Sequence, residues 1–305
     1  MTVIDFEEKR LEKLSAEELS RHVMRFPVKR RMELILSRHD ADAVVKAMPE
    51  QDFYYSVQEI GPEDSLPLLA MARVEQLEYL FDLEWWQKDR IAAAKALGWI
   101  EKLSRTGEEQ LLSWLYKVDF ELLVALFKQW IRADVVPEET DPMEAAERLP
   151  KNTLDDLYYW EASYPQYEDL LRLILSLLFE VHQGFYKELL NHTIWGAQTE
   201  IEEDAYRFHR ARLEDFAVPD YYEAMEIYRA ISEKELTPGK ESALRVSEEA
   251  QPPSFALALV SADDLLGLAL GEIEDPALID LLQLELASLS NKVVVADQLP
   301  PDSPD

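Results

Sequence analysis

The sequence predicts an all-α protein: an N-terminal, solenoid-like stack of short helices, followed by a second helical region with one long central helix. Three observations carry that expectation. Apolar residues recur at helical spacing in segments joined by only a few residues, as in antiparallel helical neighbours. Helix-start signals recur at the heads of these segments. Strand-like runs are close to absent, the exception being Val293–Val295, which is too short to seed a sheet.

The elements follow in order. Ser15 with Glu18 three residues on has the capping-box pattern, and Thr106 with Glu109 repeats it. From Ala41 the expected helices run over 41–48, 50–60, 62–72, 73–87, 90–104, 107–116 and 118–132. Asp40 is placed to cap the first of these. Pro49 and Pro62 suit the first turns of the next two, each followed by an acid that complements the helix dipole. Such short amphipathic helices bury their apolar faces only against neighbours, which predicts stacked pairs. Residues 1–133 therefore form the expected first domain, and 134–152, with Pro137, Pro142 and Pro150, an acidic linker. Within that linker Met143–Leu149 is expected to form a helical turn or two. Residues 153–235 form the second region, centred on the apolar run Tyr167–Trp195 as one long helix. Residues 236–254 read as a second linker, and 255–305 as C-terminal helices ending in a frayed acidic tail.

Composition narrows the function. Lys plus Arg number 31 against 61 Asp plus Glu, a net charge of −30. Without cysteine there is no disulfide framework, thiolate zinc site or cysteine nucleophile. A chain so short of cations is not expected to bind nucleic acid. Neither Leu170–Val181 nor Phe255–Leu270 reaches the roughly 18 uninterrupted apolar residues of a membrane span. With no signal-peptide pattern at Met1–Lys9, the expectation is a cytoplasmic protein without membrane insertion. The charge is uneven. Residues 1–50 hold ten acids and ten bases, whereas 251–305 hold ten acids and one base, Lys292.

The segment Leu80-Phe81-Asp82-Leu83-Glu84-Trp85-Trp86-Gln87-Lys88-Asp89-Arg90, and the stretch from Arg25-Phe26-Pro27 to Met48-Pro49, resemble an uncharacterised bacterial all-helical family of unknown function. Residues 24–132 also resemble, in their helix rhythm, the superhelical cytosolic N-terminal domain of MgtE-type magnesium transporters. That second resemblance implies a regulatory helical stack with acidic, divalent-ion-sensing surfaces. The chain lacks those transporters' cystathionine-synthase-like pair and membrane domain, so no transport role and no functional residue is carried over.

Among constellations that carry chemistry, no glycine falls in a nucleotide-binding spacing and the nucleophile-elbow pattern is missing. Glu188 and His192 share a helix face; Glu202 and His209, seven apart, share the next. In an antiparallel hairpin the four would converge as an oxygen and nitrogen set suited to a divalent metal. The competing reading is a wet, charged face. His39-Asp40 has the pattern of half a metal phosphohydrolase dyad, with Asp40 better explained as a cap. Aromatic doublets at Tyr54-Tyr55, Trp85-Trp86, Tyr158-Tyr159-Trp160 and Tyr221-Tyr222 suggest a sugar cleft, against the plainer reading of one core ring and one peripheral ring each.

The basic island is the last constellation. Arg21, Arg25 and Lys29 are four apart, with Arg30 and Arg31 beside them. Binding of an anion or partner, docking onto the chain's own acidic body, and a solvated face are the three readings. The expected function is a non-catalytic interaction or regulatory module that receives a protein partner, with no cofactor. The alternative is a divalent-metal-dependent enzyme or sensor built on the Glu/His set.

Overall fold

The computed structural model describes residues 11, 13–87, 89–136, 148–230, 253–258, 260 and 265–297. The expected turn at Met143–Leu149, most of both linkers and the tail from Gln298 lie largely outside them. Helices dominate the described residues, as the apolar periodicity requires. The chain divides into two compact units, residues 1–80 with 212–305, and residues 81–211. Residues 81–133 thus group with 153–211 rather than with 1–80.

The first unit opens with α1 (Ala16–Val23), α2 (Val28–Leu36), α3 (Ala41–Lys46), α4 (Glu50–Ile60) and α5 (Leu66–Met71). The capping box at α1 is complete: Ser15 Oγ accepts from Glu18 N, and Glu18 Oε2 accepts from Ser15 N at 2.8 Å. Asp40 stands at the head of α3, but its carboxylate is engaged by Arg38 at 2.6 and 2.7 Å instead of capping the helix. That pairing holds the Asp40 carboxyl below its ordinary range. Pro49 heads α4 as expected. Pro62 lies in the turn before α5, which starts only at Leu66. Leu19, Val23, Val44, Val45, Phe53, Val57, Leu68 and Leu69 close the core. Buried Gln76, on α6 (Val74–Trp85), donates to Val45 O and Met48 O at 2.8 Å, satisfying the carbonyls that end α3.

The second unit begins within α6 and continues through a two-residue hairpin, β1 (Trp86–Gln87) and β2 (Arg90–Ile91). Then come α7 (Ala93–Ser104), α8 (Glu108–Lys117) and α9 (Phe120–Trp130). The expected Thr106 cap is replaced by Gly107, at φ 128°, while the Thr106 hydroxyl donates back to Leu103 O. A Cβ at Gly107 meets nothing within 4 Å, so its backbone conformation alone decides a substitution. Gly107→Ala should cost about 1–3 kcal/mol in urea unfolding.

A three-stranded sheet interrupts the helical reading. After α9 the chain extends at Ile131 into β3 (Ile131–Val135), which pairs antiparallel with β5 (Tyr158–Ala162); β4 (Asn152–Thr153) flanks β5 on its other edge. Tyr158 and Trp160 point into the core and Tyr159 and Glu161 away from it, a period of two that suits these β-formers. The expected long central helix is two helices, α10 (Glu168–Val181) and α11 (Gln183–Trp195). His182, at φ −151° and ψ 81°, breaks them, beside Val181 and Gly184, both poor helix formers.

α12 (Gln198–Asp215) runs from the second unit into the first. The remainder of the first unit comprises α13 (Tyr221–Ala224), α14 (Phe255–Ala258), α15 (Leu265–Gly271) and α16 (Pro276–Ala296). Val293–Val295, the one strand-like run, is the end of α16: its apolar residues continue a helical stripe begun by Pro276 behind the Asp275 cap.

Candidate functional site

The segment Leu80–Arg90 resolves into structural roles. Phe81 stacks on Trp85 at 4.2 Å, and both meet Trp114 edge-on in the core of the second unit. Buried Glu84 accepts from Lys95 Nζ at 2.9 Å and from Trp99 Nε1 at 3.3 Å. Buried Asp82 meets His209 Nδ1 at 3.1 Å, and the His209 ring stacks on Trp86 at 4.4 Å. Trp85 is thus the core ring of its doublet and half-buried Trp86 the peripheral one.

These contacts place the four expected metal-ligating residues apart in role. His209 is buried against Asp82 and Trp86. His192 is exposed, its Nδ1 held at 3.0 Å by Glu188 O, with Phe120 edge-on at 5.2 Å. Glu188 is exposed, and Glu202 accepts from Gln198 Nε2 at 2.9 Å. Among the described residues, no three His, Asp or Glu side chains are gathered as a metal site. Asp82 lies 127 residues before His209, so the partner of that histidine was invisible in the local sequence pattern. His192→Ala should change unfolding free energy by under about 0.5 kcal/mol. Asp82→Ala, which strips the buried imidazole of an acceptor, should cost about 1–3 kcal/mol. Paired urea titrations check both. His39 is almost fully exposed beside Asp40.

The two tyrosine pairs do not divide into one core and one peripheral ring: Tyr54 and Tyr55 are both half-buried, and Tyr221 and Tyr222 both exposed. Tyr54 packs edge-on against Tyr79, and Tyr55 stacks on Phe255.

The basic island is divided by the fold. The chain turns at Met24–Pro27 between α1 and α2, so Arg21, Arg25 and Lys29 do not form one helical stripe. Arg31 is buried: Nε donates to Val23 O at 3.3 Å, Nη1 to Ser56 Oγ at 3.0 Å and Nη2 to Phe26 O at 3.2 Å. It also pairs with Glu59 at 3.0 Å. Arg30 pairs with Glu33 at 3.0 Å. Arg21, Arg25 and Lys29 are exposed and make no ion pair among the described residues.

Arg21, His22 and Arg25 border a groove of about 590 Å³ within the first unit. Its remaining described walls come from Ser254, Leu257, Val260, Leu270 and Ile279, with Gly267, Gly271, Asp280 and Gln283 between them. Sequence reading found the cations but not this wall, which lies more than 200 residues on. Ser254 is fixed there by Asp52: the buried carboxylate accepts from Ser254 N at 2.9 Å, Ser254 Oγ at 2.6 Å and Phe255 N at 2.8 Å. Burial pushes the Asp52 carboxyl above its ordinary value of 3.8, against the opposing pull of those bonds. Beside the groove, α15 carries Leu265, 88% exposed, and Leu268, 59% exposed. No residue of α15 is buried.

This arrangement defines a helical protein with a charged-rimmed, apolar groove and no gathered metal-ligating set among the described residues. The chain belongs to the family described as "Family of unknown function (DUF6178)", which it matches over residues 8–305. No curated protein and no solved structure matches the chain. No helix among the described residues is long and apolar enough to cross a membrane.

Proposed function

We propose that this protein is a cytoplasmic, non-catalytic helical interaction module whose docking site for a protein partner is the groove beside Arg21 and Arg25. One observation carries the reading. In a chain with 61 acids, two exposed arginines make no ion pair among the described residues, and they border an apolar wall. Leu270, on the groove-facing side of α15, belongs to that apolar wall. Contiguous apolar surface rimmed by charge is the usual form of a protein-binding site. The compartment rests on the cysteine-free composition.

Photo-crosslinking in living cells tests the reading. A photoreactive residue at Leu270, which lines the groove, should yield a discrete adduct that Arg21→Glu with Arg25→Glu removes. The same probe at exposed Tyr116, remote in sequence, should not yield it. Identical adducts from both positions, or none at Leu270, would refute the assignment.

A further inference from the structure

Resting on that docking reading, we infer that the groove's occupant is an amphipathic α-helix with acidic residues along one edge of its apolar stripe.

Most of the described walls are helical: Leu257 belongs to α14, with Ser254 before it and Val260 beyond its end; Gly267, Leu270 and Gly271 share one face of α15; Ile279 and Gln283 share one face of α16. Among the described residues of this unit there is no strand, so no open sheet edge is available to pair with an extended segment. An occupant of an apolar groove must satisfy its own backbone hydrogen bonds, which a helix does internally. Arg21 and Arg25 then set the chemistry of its edge, since each brings a guanidinium without an acidic partner among the described residues. Asp280, which also lines the groove, disfavours an acid beside itself and so narrows where the acidic edge can lie.

Gly271 supplies an independent observation. A Cβ built there meets nothing within 4 Å, so the missing side chain serves no packing within the described chain. It leaves the α15 backbone open to close approach by a partner helix. Gly271→Leu should therefore leave folding intact, or improve it through helix propensity, while filling the groove.

The test uses the intact chain, immobilised and panned against a displayed library of helix-stabilised 18-residue peptides. Enriched sequences should carry apolar residues at i, i+3 or i+4, and i+7, bordered on one side by Asp or Glu. Their affinity should fall at least about tenfold, or roughly 1.4 kcal/mol, in Arg21→Glu with Arg25→Glu and again in Gly271→Leu. Enrichment without an acidic edge, lost in Gly271→Leu but not on charge reversal, would overturn the inference and leave the docking reading standing. No enrichment, or binding equal in all variants, would overturn both. Two further outcomes would replace the helix: phosphatidylglycerol vesicles that displace the peptides, or self-association of the chain that Gly271→Leu abolishes.

Discussion

Asp52→Ala lowers the unfolding free energy by about 3 kcal/mol in urea titration, among the largest losses expected of any single substitution in the first unit. Two effects oppose each other. Burying a carboxylate is costly, which is why burial raises its titration point. Removing it, however, strands Ser254 N, Ser254 Oγ and Phe255 N, each bonded within 3.0 Å. Unsatisfied buried donors cost roughly 1–3 kcal/mol each, so the loss wins. Those bonds join α4 to residues 202 positions later, and the stacking of Tyr55 on Phe255 at 5.7 Å follows from them.

The same group gives a signed pH dependence. A carboxyl raised above 3.8 in the folded state binds its proton more readily there than in the unfolded chain. Its contribution to stability is fully present below the unfolded value and is lost as pH rises through the folded one. Measured against Asp52→Asn, which cannot titrate, the wild-type protein should therefore gain stability as pH falls from 7 towards 4. A difference that moves the other way would show the hydrogen bonds outweighing burial.

Arg31→Lys is the second large effect, a loss of about 3–5 kcal/mol. The planar guanidinium serves Val23 O, Phe26 O, Ser56 and Glu59 at once, closing the turn between α1 and α2 against α4. An ammonium offers three donors from one point and cannot span that arc. Arg21→Ala and Arg25→Ala, without such partners, should each stay within about 0.5 kcal/mol of wild type. Equal losses at all three positions would mean that the exposed arginines support the fold as Arg31 does.

Much of this fold was legible because short-range physics writes it. The apolar rhythm of residues 41–132 reads as helices, and the ends of most lie within a few residues of those expected. The Ser15–Glu18 box is a local reciprocal bond and formed as its spacing implies. The misses required long-range information. Ile131–Val135 becomes a strand only by pairing with Tyr158–Ala162, more than twenty residues on. The break at His182 carries no proline to announce it.

The site divides the same way. Cationic residues stood out in an acidic chain, but sequence proximity could not show that Arg31 turns inward while Arg21 and Arg25 stay outside. Nor could it show that the wall facing them comes from residues 254–283. The same holds for the Glu/His pattern, in which the partner of His209 is Asp82, 127 residues earlier.

The account's central claim is that Arg21 and Arg25 recognise acids on a partner docked in the groove, and a charge swap tests it most directly. A peptide obtained by panning is measured by fluorescence anisotropy against the wild-type chain and Arg21→Glu with Arg25→Glu. The same peptide with its edge acids changed to lysine is measured against both. The account predicts that each single reversal weakens binding at least about tenfold and that the double reversal restores most of it. Binding that is indifferent to both reversals, or that the double reversal fails to restore, would contradict it.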